Sequence, residues 1–287
     1  MAYKDLQVHM DNSPNCDKRL HVAAKIAAEF DAHLTGLFVR PEFHLPSYIA
    51  PFNTSTALIG DTEWLSGIAN NYEKVMDEKE GQAKQLFNKI ASQYEVASMW
   101  QSINGDVYSS LTEEASYADL LVIGQANPDD VTNRNLDVPN HILLTAGRPC
   151  LVVPYIGTYE NVGKHPLIAW NGSRESNRAL HDALPFLERA ETVTIMMSET
   201  SGSAESSDLP DTRIAQHLAR HNVKVMTKTM TAKERDISND FLSYLADNGH
   251  DLLVMGAYGH SRFREAILGG MTREIMHSMT VPVLMSN

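Results

Sequence analysis

A stretch near the end of the chain carries the residue types needed to hold an anion. Gly256-Ala257-Tyr258-Gly259 is followed, after nine residues, by Gly269-Gly270-Met271-Thr272. Glycines let a backbone approach a phosphate closely, and amides at a helix start point at it with a favourable dipole. Thr272 adds a hydroxyl and His260 lies inside the loop, while Arg262, Arg264 and Arg273 outnumber Glu265 and Glu274 across 256–274. The chemistry would be binding of a diphosphate or triphosphate. The bland alternative is that these glycines only make turns.

Other candidate groups carry less. Gly157 to Lys164 resembles a phosphate loop, but its glycines are six apart rather than five, and His165 follows where Ser or Thr belongs. His217 and His221 have the i,i+4 spacing of helical zinc ligands, without the intervening Glu of a His-Glu-x-x-His site; a solvated helix face is the simpler reading. Cys16 is either a thiol activated near a helix start or an ordinary surface cysteine. No nucleophile–base pair and no G-x-S-x-G elbow is present, so no catalytic residue is assigned.

The elements that must position the loop repeat along the chain. Asp11-Asn12-Ser13 and Leu20-His21 recur as Asn171-Gly172-Ser173 and Leu180-His181, offset by 160. Asp119-Leu120-Leu121-Val122-Ile123-Gly124 recurs as Asp251-Leu252-Leu253-Val254-Met255-Gly256, offset by 132, and Pro149-Cys150-Leu151-Val152 as Pro282-Val283-Leu284-Met285, offset by 133. Two copies of one domain are expected, at 1–155 and 164–287, with a polar linker at 155–163. The drop of 28 in offset puts extra residues in the first copy, near 41–68, where Phe43, Tyr48, Phe52 and Trp64 suggest an ordered flap.

Each copy alternates β-type runs with helix-period segments, as an α/β domain with a parallel sheet requires. In the second copy, strands are expected at 167–170, 192–197, 223–230, 252–255 and 281–285. Helices are expected at 174–189, 211–221, 237–248, with Gly249 as the stop, and 272–278. The first copy gives strands at 6–10 and 34–39 and helices at 18–32 and 70–94.

Composition bounds the function. The chain has 287 residues, 24 Lys+Arg against 36 Asp+Glu and a net charge of −12, which argues against a phosphate-backbone binder and so against nucleic acid. No apolar run reaches the roughly 18 residues that would span a membrane. No hydrophobic signal opens the chain, and its two cysteines, Cys16 and Cys150, fit a reducing compartment, so a cytoplasmic protein is expected.

The strand, the Gly256-x2-Gly259-x9-Gly269 loop and the closing Val281-Pro282-Val283-Leu284 resemble the universal stress protein family. The resemblance covers nearly the whole chain as a tandem, apart from the 41–68 insertion. It implies an adenine nucleotide alpha-hydrolase-like fold: two doubly wound five-stranded parallel sheets, each in strand order 3-2-1-4-5. Members pair through the last strand, which in a tandem chain can happen between its own copies and leaves a homodimer as a further possibility. It also implies an adenine nucleotide, with or without Mg2+, in the second copy, at Ala169, Asn171, Ser198, Gly256, Gly259, His260, Gly269, Gly270, Met271 and Thr272. The chain departs from the family pattern twice. Gly270 stands where a phosphate-contacting Ser or Thr belongs, and Asn171 where an adenine-contacting Asp belongs.

The first copy lacks the loop: Gly124 survives, Asn127 replaces the second glycine, and Asp129, Asp130 and Asp137 would repel phosphate. Asp11 keeps the adenine-type carboxylate and is expected instead to cap a helix. Residues 1–155 hold 11 basic and 20 acidic groups, and residues 156–287 hold 13 and 16. The expected function is a stress-response protein that binds ATP or a related adenine nucleotide in its second copy, in a regulatory or sensing role with at most slow hydrolysis. The alternative is an interaction or small-molecule module of the same fold, acting through its dimer surface and the insertion.

Overall fold

The computed structural model describes residues 2–43, 62–127, 138–198, 210–230, 237–258 and 265–287. Its first half runs β1 (Asp5–Met10), α1 (Cys16–Phe30), β2 (His33–Arg40), α2 (Thr62–Gln93), β3 (Ser98–Asn104), α3 (Val107–Ala115), β4 (Leu120–Gly124), α4 (Val138–Thr145) and β5 (Cys150–Val153). The second half runs β6 (Pro166–Trp170), α5 (Arg174–Asp182), α6 (Leu184–Leu187), β7 (Val193–Ser198), α7 (Pro210–Arg220), β8 (Val225–Met230), α8 (Ile237–Asp247), β9 (Leu252–Gly256), α9 (Glu265–Ser278) and β10 (Val283–Ser286).

Among the described residues, all ten strands belong to one sheet, in order β3-β2-β1-β4-β5-β10-β9-β6-β7-β8. Each half therefore has the order 3-2-1-4-5 with parallel neighbours. The halves join where β5 meets β10 antiparallel, Leu151 opposite Leu284. Strands that are apolar on consecutive positions, such as β4 and β9, are buried on both faces, as a sheet covered by helices on two sides demands. One core packs α1, α2, α5, α6 and α7 on one face, and the other packs α3, α4, α8 and α9 on the opposite face. Both cores draw on the two halves, and in the first the rings of Tyr3, Phe30 and Phe186 meet edge-on at 5.2–5.4 Å.

The repeated acidic residue before β4 and β9 has a repeated job. Asp119 accepts the amides of Lys4 and Asp5 at 2.7 and 3.1 Å, and Asp251 accepts those of Lys164 and His165, both at 2.8 Å. Each carboxylate thereby fixes the start of its half's central strand.

Several element limits differ from the sequence expectation. The helix expected at 174–189 is broken into α5 and α6, because Pro185 has no amide to continue the ladder. The helix α2 begins at Thr62, inside the segment read as an insertion, and residues 44–61 of that segment lie outside the described residues. Gly249, at φ 67°, does follow the end of α8. The last helix starts at Glu265 rather than at Thr272. Among the described residues, no helix is long and apolar enough to cross a membrane.

Candidate functional site

The strands β6, β7 and β9 are parallel, so their carboxyl ends open on one edge of the sheet, where α/β folds bind ligands. Ala169 sits there, opposite Met255 on one side and Met196 on the other. Asn171 follows β6 directly. Its Oδ1 accepts the amide of Ser173 at 3.0 Å, and its side chain stays exposed. Ser173 in turn caps α5, accepting the amide of Ser176 at 3.1 Å. The Asn171 side-chain NH2 takes no part in that turn. Ser198 closes β7, and its side chain lies outside the described residues.

Gly256 ends β9 for a steric reason. A Cβ there would lie 2.6 Å from the backbone of Glu175 and Ser176, so glycine lets α5 pack down against β9. Tyr258 then turns in the left-handed region at φ 48°, and Gly259 and His260 lie outside the described residues. Gly269, Gly270, Met271 and Thr272 lie inside α9, not at its first turn, because that helix begins at Glu265. Their amides are therefore not the helix-start donors that the loop spacing suggested. Thr272 is buried and its polar group is engaged. The structure thus brings Ala169, Asn171, Ser198 and Gly256 to one sheet edge, with Met271 and Thr272 further along α9.

The first half presents the corresponding edge with different chemistry. Asp11 follows β1 and accepts the amide of Ser13 at 3.0 Å and its hydroxyl at 2.5 Å. It does not cap α1, whose N-cap is Asn15; instead it pairs with Arg19, a buried residue of α1, at 3.0 Å. Burial alone would raise the Asp11 carboxyl, but Arg19, His9 and the two Ser13 bonds outweigh it and hold it below the usual carboxylate range. Burial is the main cause that lowers the nearby His9 ring to about 4, so it is neutral at physiological pH. Cys16 opens α1 but is 3% exposed, and burial pushes its thiol up; it is neither a surface cysteine nor an activated one. Asp11, Arg19 and their neighbours line a cavity of about 730 Å3.

Sequence reasoning missed Arg19, though the repeat could have exposed it: the offset of 160 pairs Arg19 with Ala179. It also missed two contacts between the halves. Gln125, after β4, donates to the carbonyls of Met276 and His277 at the end of α9, and Tyr258 donates to Asn140 of α4 at 2.8 Å. The rings of His181, His217 and His221 meet edge-on in sequence at 5.2 and 5.0 Å, and among the described residues no cluster of His, Cys, Asp or Glu could hold a metal ion.

This arrangement of strands, helices and closing β10 coincides with a family match. Residues 164–287 match the model of the universal stress protein family. Residues 164–287 are a universal stress protein domain. A universal stress protein of Synechocystis is 24% identical over 144 residues, covering 50% of this chain and 48% of that protein, so the chain spans about half the length of this curated relative. The crystal structure of a universal stress protein from Archaeoglobus fulgidus superposes with a TM-score of 0.73 at 14% identity, covering 98% of both chains. A Pseudomonas aeruginosa protein of unknown function gives a TM-score of 0.59 at 12% identity, covering 99% of this chain and 92% of the other. At these identities the likeness shows the fold, and it extends beyond the universal stress protein domain to the whole ten-stranded sheet.

Proposed function

We propose that the chain is a tandem of two universal stress protein domains, 1–155 and 164–287, and that the second binds ATP or a related adenine nucleotide as a signal. The observation that carries this reading is the meeting of Ala169, Asn171, Ser198 and Gly256 at the carboxyl ends of three parallel strands in the family-matched segment. The loop residues Gly259 and His260 follow Gly256 directly in sequence. Asn171 offers the purine edge a side-chain NH2, where a carboxylate would offer only acceptors. The backbone and Arg262, Arg264 and Arg273 supply the phosphate contacts, and any Mg2+ arrives on the phosphates. Turnover is slow at most, because phosphoryl transfer needs a metal clamp and a positioned water, and no residue is assigned to either. The role is regulatory and cytoplasmic, and a homodimer is the next level of assembly.

Denaturing the purified full chain and identifying released small molecules by mass spectrometry tests this directly. An adenine nucleotide is the expected product. Its absence, with no binding at millimolar ATP, refutes the reading.

Two observations favour a second reading, in which the fold is an interaction module without a nucleotide. Gly256 has a packing reason of its own against α5, and Gly269 and Gly270 lie within a helix. Deleting residues 43–66 separates the readings. Loss of partner binding with unchanged nucleotide affinity favours the module.

A further inference from the structure

The first half has lost the glycine loop, yet it has kept a cavity where that loop would act. The cavity of about 730 Å3 lies at the carboxyl ends of β1, β2 and β4 and is within the size range of small-molecule sites. Its polar end is built. Arg19 is 4% exposed, its Nη2 pairs with Asp11 Oδ1 at 3.0 Å, and its Nε makes no hydrogen bond. The guanidinium occupies the space above Gly124, where a Cβ would lie 2.3 Å from Nη1. The surviving glycine of the lost loop thus makes room for an arginine, where the second half has Ala179 at the equivalent place.

Such a group is costly unless it has a purpose. A buried guanidinium that keeps one N–H unmade loses about 1–3 kcal/mol relative to a satisfied one. Asp11 balances its charge but is shared with Ser13, which donates both its amide and its hydroxyl. Lys79 adds a second cation to the lining, and Asp11 supplies the single carboxylate among the described lining residues. The lining therefore carries a net charge of +1 when His9 is neutral. The rest of the lining mixes amides such as Asn15, Gln125 and Asn127 with an apolar part formed by Phe38, Tyr72, Met76, Ile123 and Val138.

We propose that this cavity binds a small aromatic monocarboxylate, with its carboxylate toward Arg19 and its ring against Phe38, Tyr72 and Met76. Carboxylate and guanidinium match as planar partners, and a charge-assisted pair of this kind is about twice as strong as a neutral one. One negative charge neutralises the lining. A triphosphate would overload it. This site is independent of the nucleotide reading for the second half.

The test is titration of the full-length protein with benzoate and with its uncharged isostere benzamide, followed by calorimetry and by methionine-methyl NMR. Benzoate should bind saturably by about 10 mM, and benzamide about 10-fold more weakly or not at all. The methyl resonances of Met10 and Met76, which line the cavity, should shift, while those of Met255 and Met271 stay in place. Arg19→Gln should abolish benzoate binding and Arg19→Lys should weaken it about 10-fold, because Lys cannot present the planar fork. The proposal is overturned if benzoate does not bind, if benzamide binds equally, or if the shifts fall elsewhere. Retention of benzoate binding by a folded Arg19→Gln protein overturns it as well. Should Arg19→Gln fail to fold, the ligand contrast and the methyl shifts on the unaltered chain decide alone.

Discussion

Gln125 of the first half donates its side-chain amide to the main-chain carbonyl of Met276 in the second half at 2.8 Å. The same NH2 reaches the carbonyl of His277 at 3.1 Å, and its Oε1 accepts the amide of Tyr155, also at 3.1 Å. One buried side chain thus satisfies the end of α9, the helix that follows the candidate nucleotide loop, and the strand end that leaves β5. Tyr258 returns the contact from the second half to Asn140 of α4. The two sheet edges are tied to each other's helices as well as through β5 and β10.

Replacing Gln125 with Leu should therefore destabilise the whole chain. The Leu side chain fills the space but leaves the Tyr155 amide and the α9 carbonyls without partners, at a cost of about 1–3 kcal/mol. Urea denaturation followed by circular dichroism measures it. A shift within error of zero would mean that water replaces all three bonds.

Two glycine substitutions should have opposite signs. Gly256→Ala forces a Cβ to 2.6 Å from the backbone of α5, where nothing flexible can yield, and should cost about 1–3 kcal/mol. Gly81→Ala lies inside α2, with nothing within 4 Å of the added Cβ, and should stabilise by about 0.5–1 kcal/mol. Thermal unfolding of both variants reports the signs.

His9 should give the chain an acid-sensitive step. Its ring titrates at about 4 in the folded protein against 6.5 for an unperturbed histidine, chiefly because of burial. Between those values the unfolded chain binds more protons, so stability is complete above pH 6.5 and declines as pH falls toward 4. The full effect is on the order of 3 kcal/mol. His9→Gln should flatten the stability profile in that window, and an unchanged slope would assign the loss to other groups.

Asp11 answers a separate question about charge. Asp11→Asn leaves the buried Arg19 without its counterion and should cost about 3–5 kcal/mol at neutral pH. The double variant Asp11→Asn/Arg19→Met should recover part of that loss. Additive destabilisation in the double-variant cycle would contradict a coupled pair.

The repeat made most of the fold legible, because apolar runs at equal spacing and the paired Asp119 and Asp251 recur with their partners. Strand order and last-strand pairing were expected from the resemblance to the family alone, and β5 does pair with β10. Helix limits were harder to read. Gly269 and Gly270 looked like a helix start because glycine is a poor helix former, yet α9 carries them through its middle. Arg19 was invisible for a different reason. A charged residue on a helix reads as solvent-facing until the fold places it above Gly124, beside Asp11. Gln125 likewise looks like an ordinary loop residue until the two halves are joined.

Whether the second half holds an adenine nucleotide is decided by titrating the full-length protein and two variants with ATP. Binding should be saturable at or below about 1 mM, lost in Gly259→Asp and kept in Arg19→Gln. Absence of binding in the unaltered chain, or full affinity in Gly259→Asp, would contradict it.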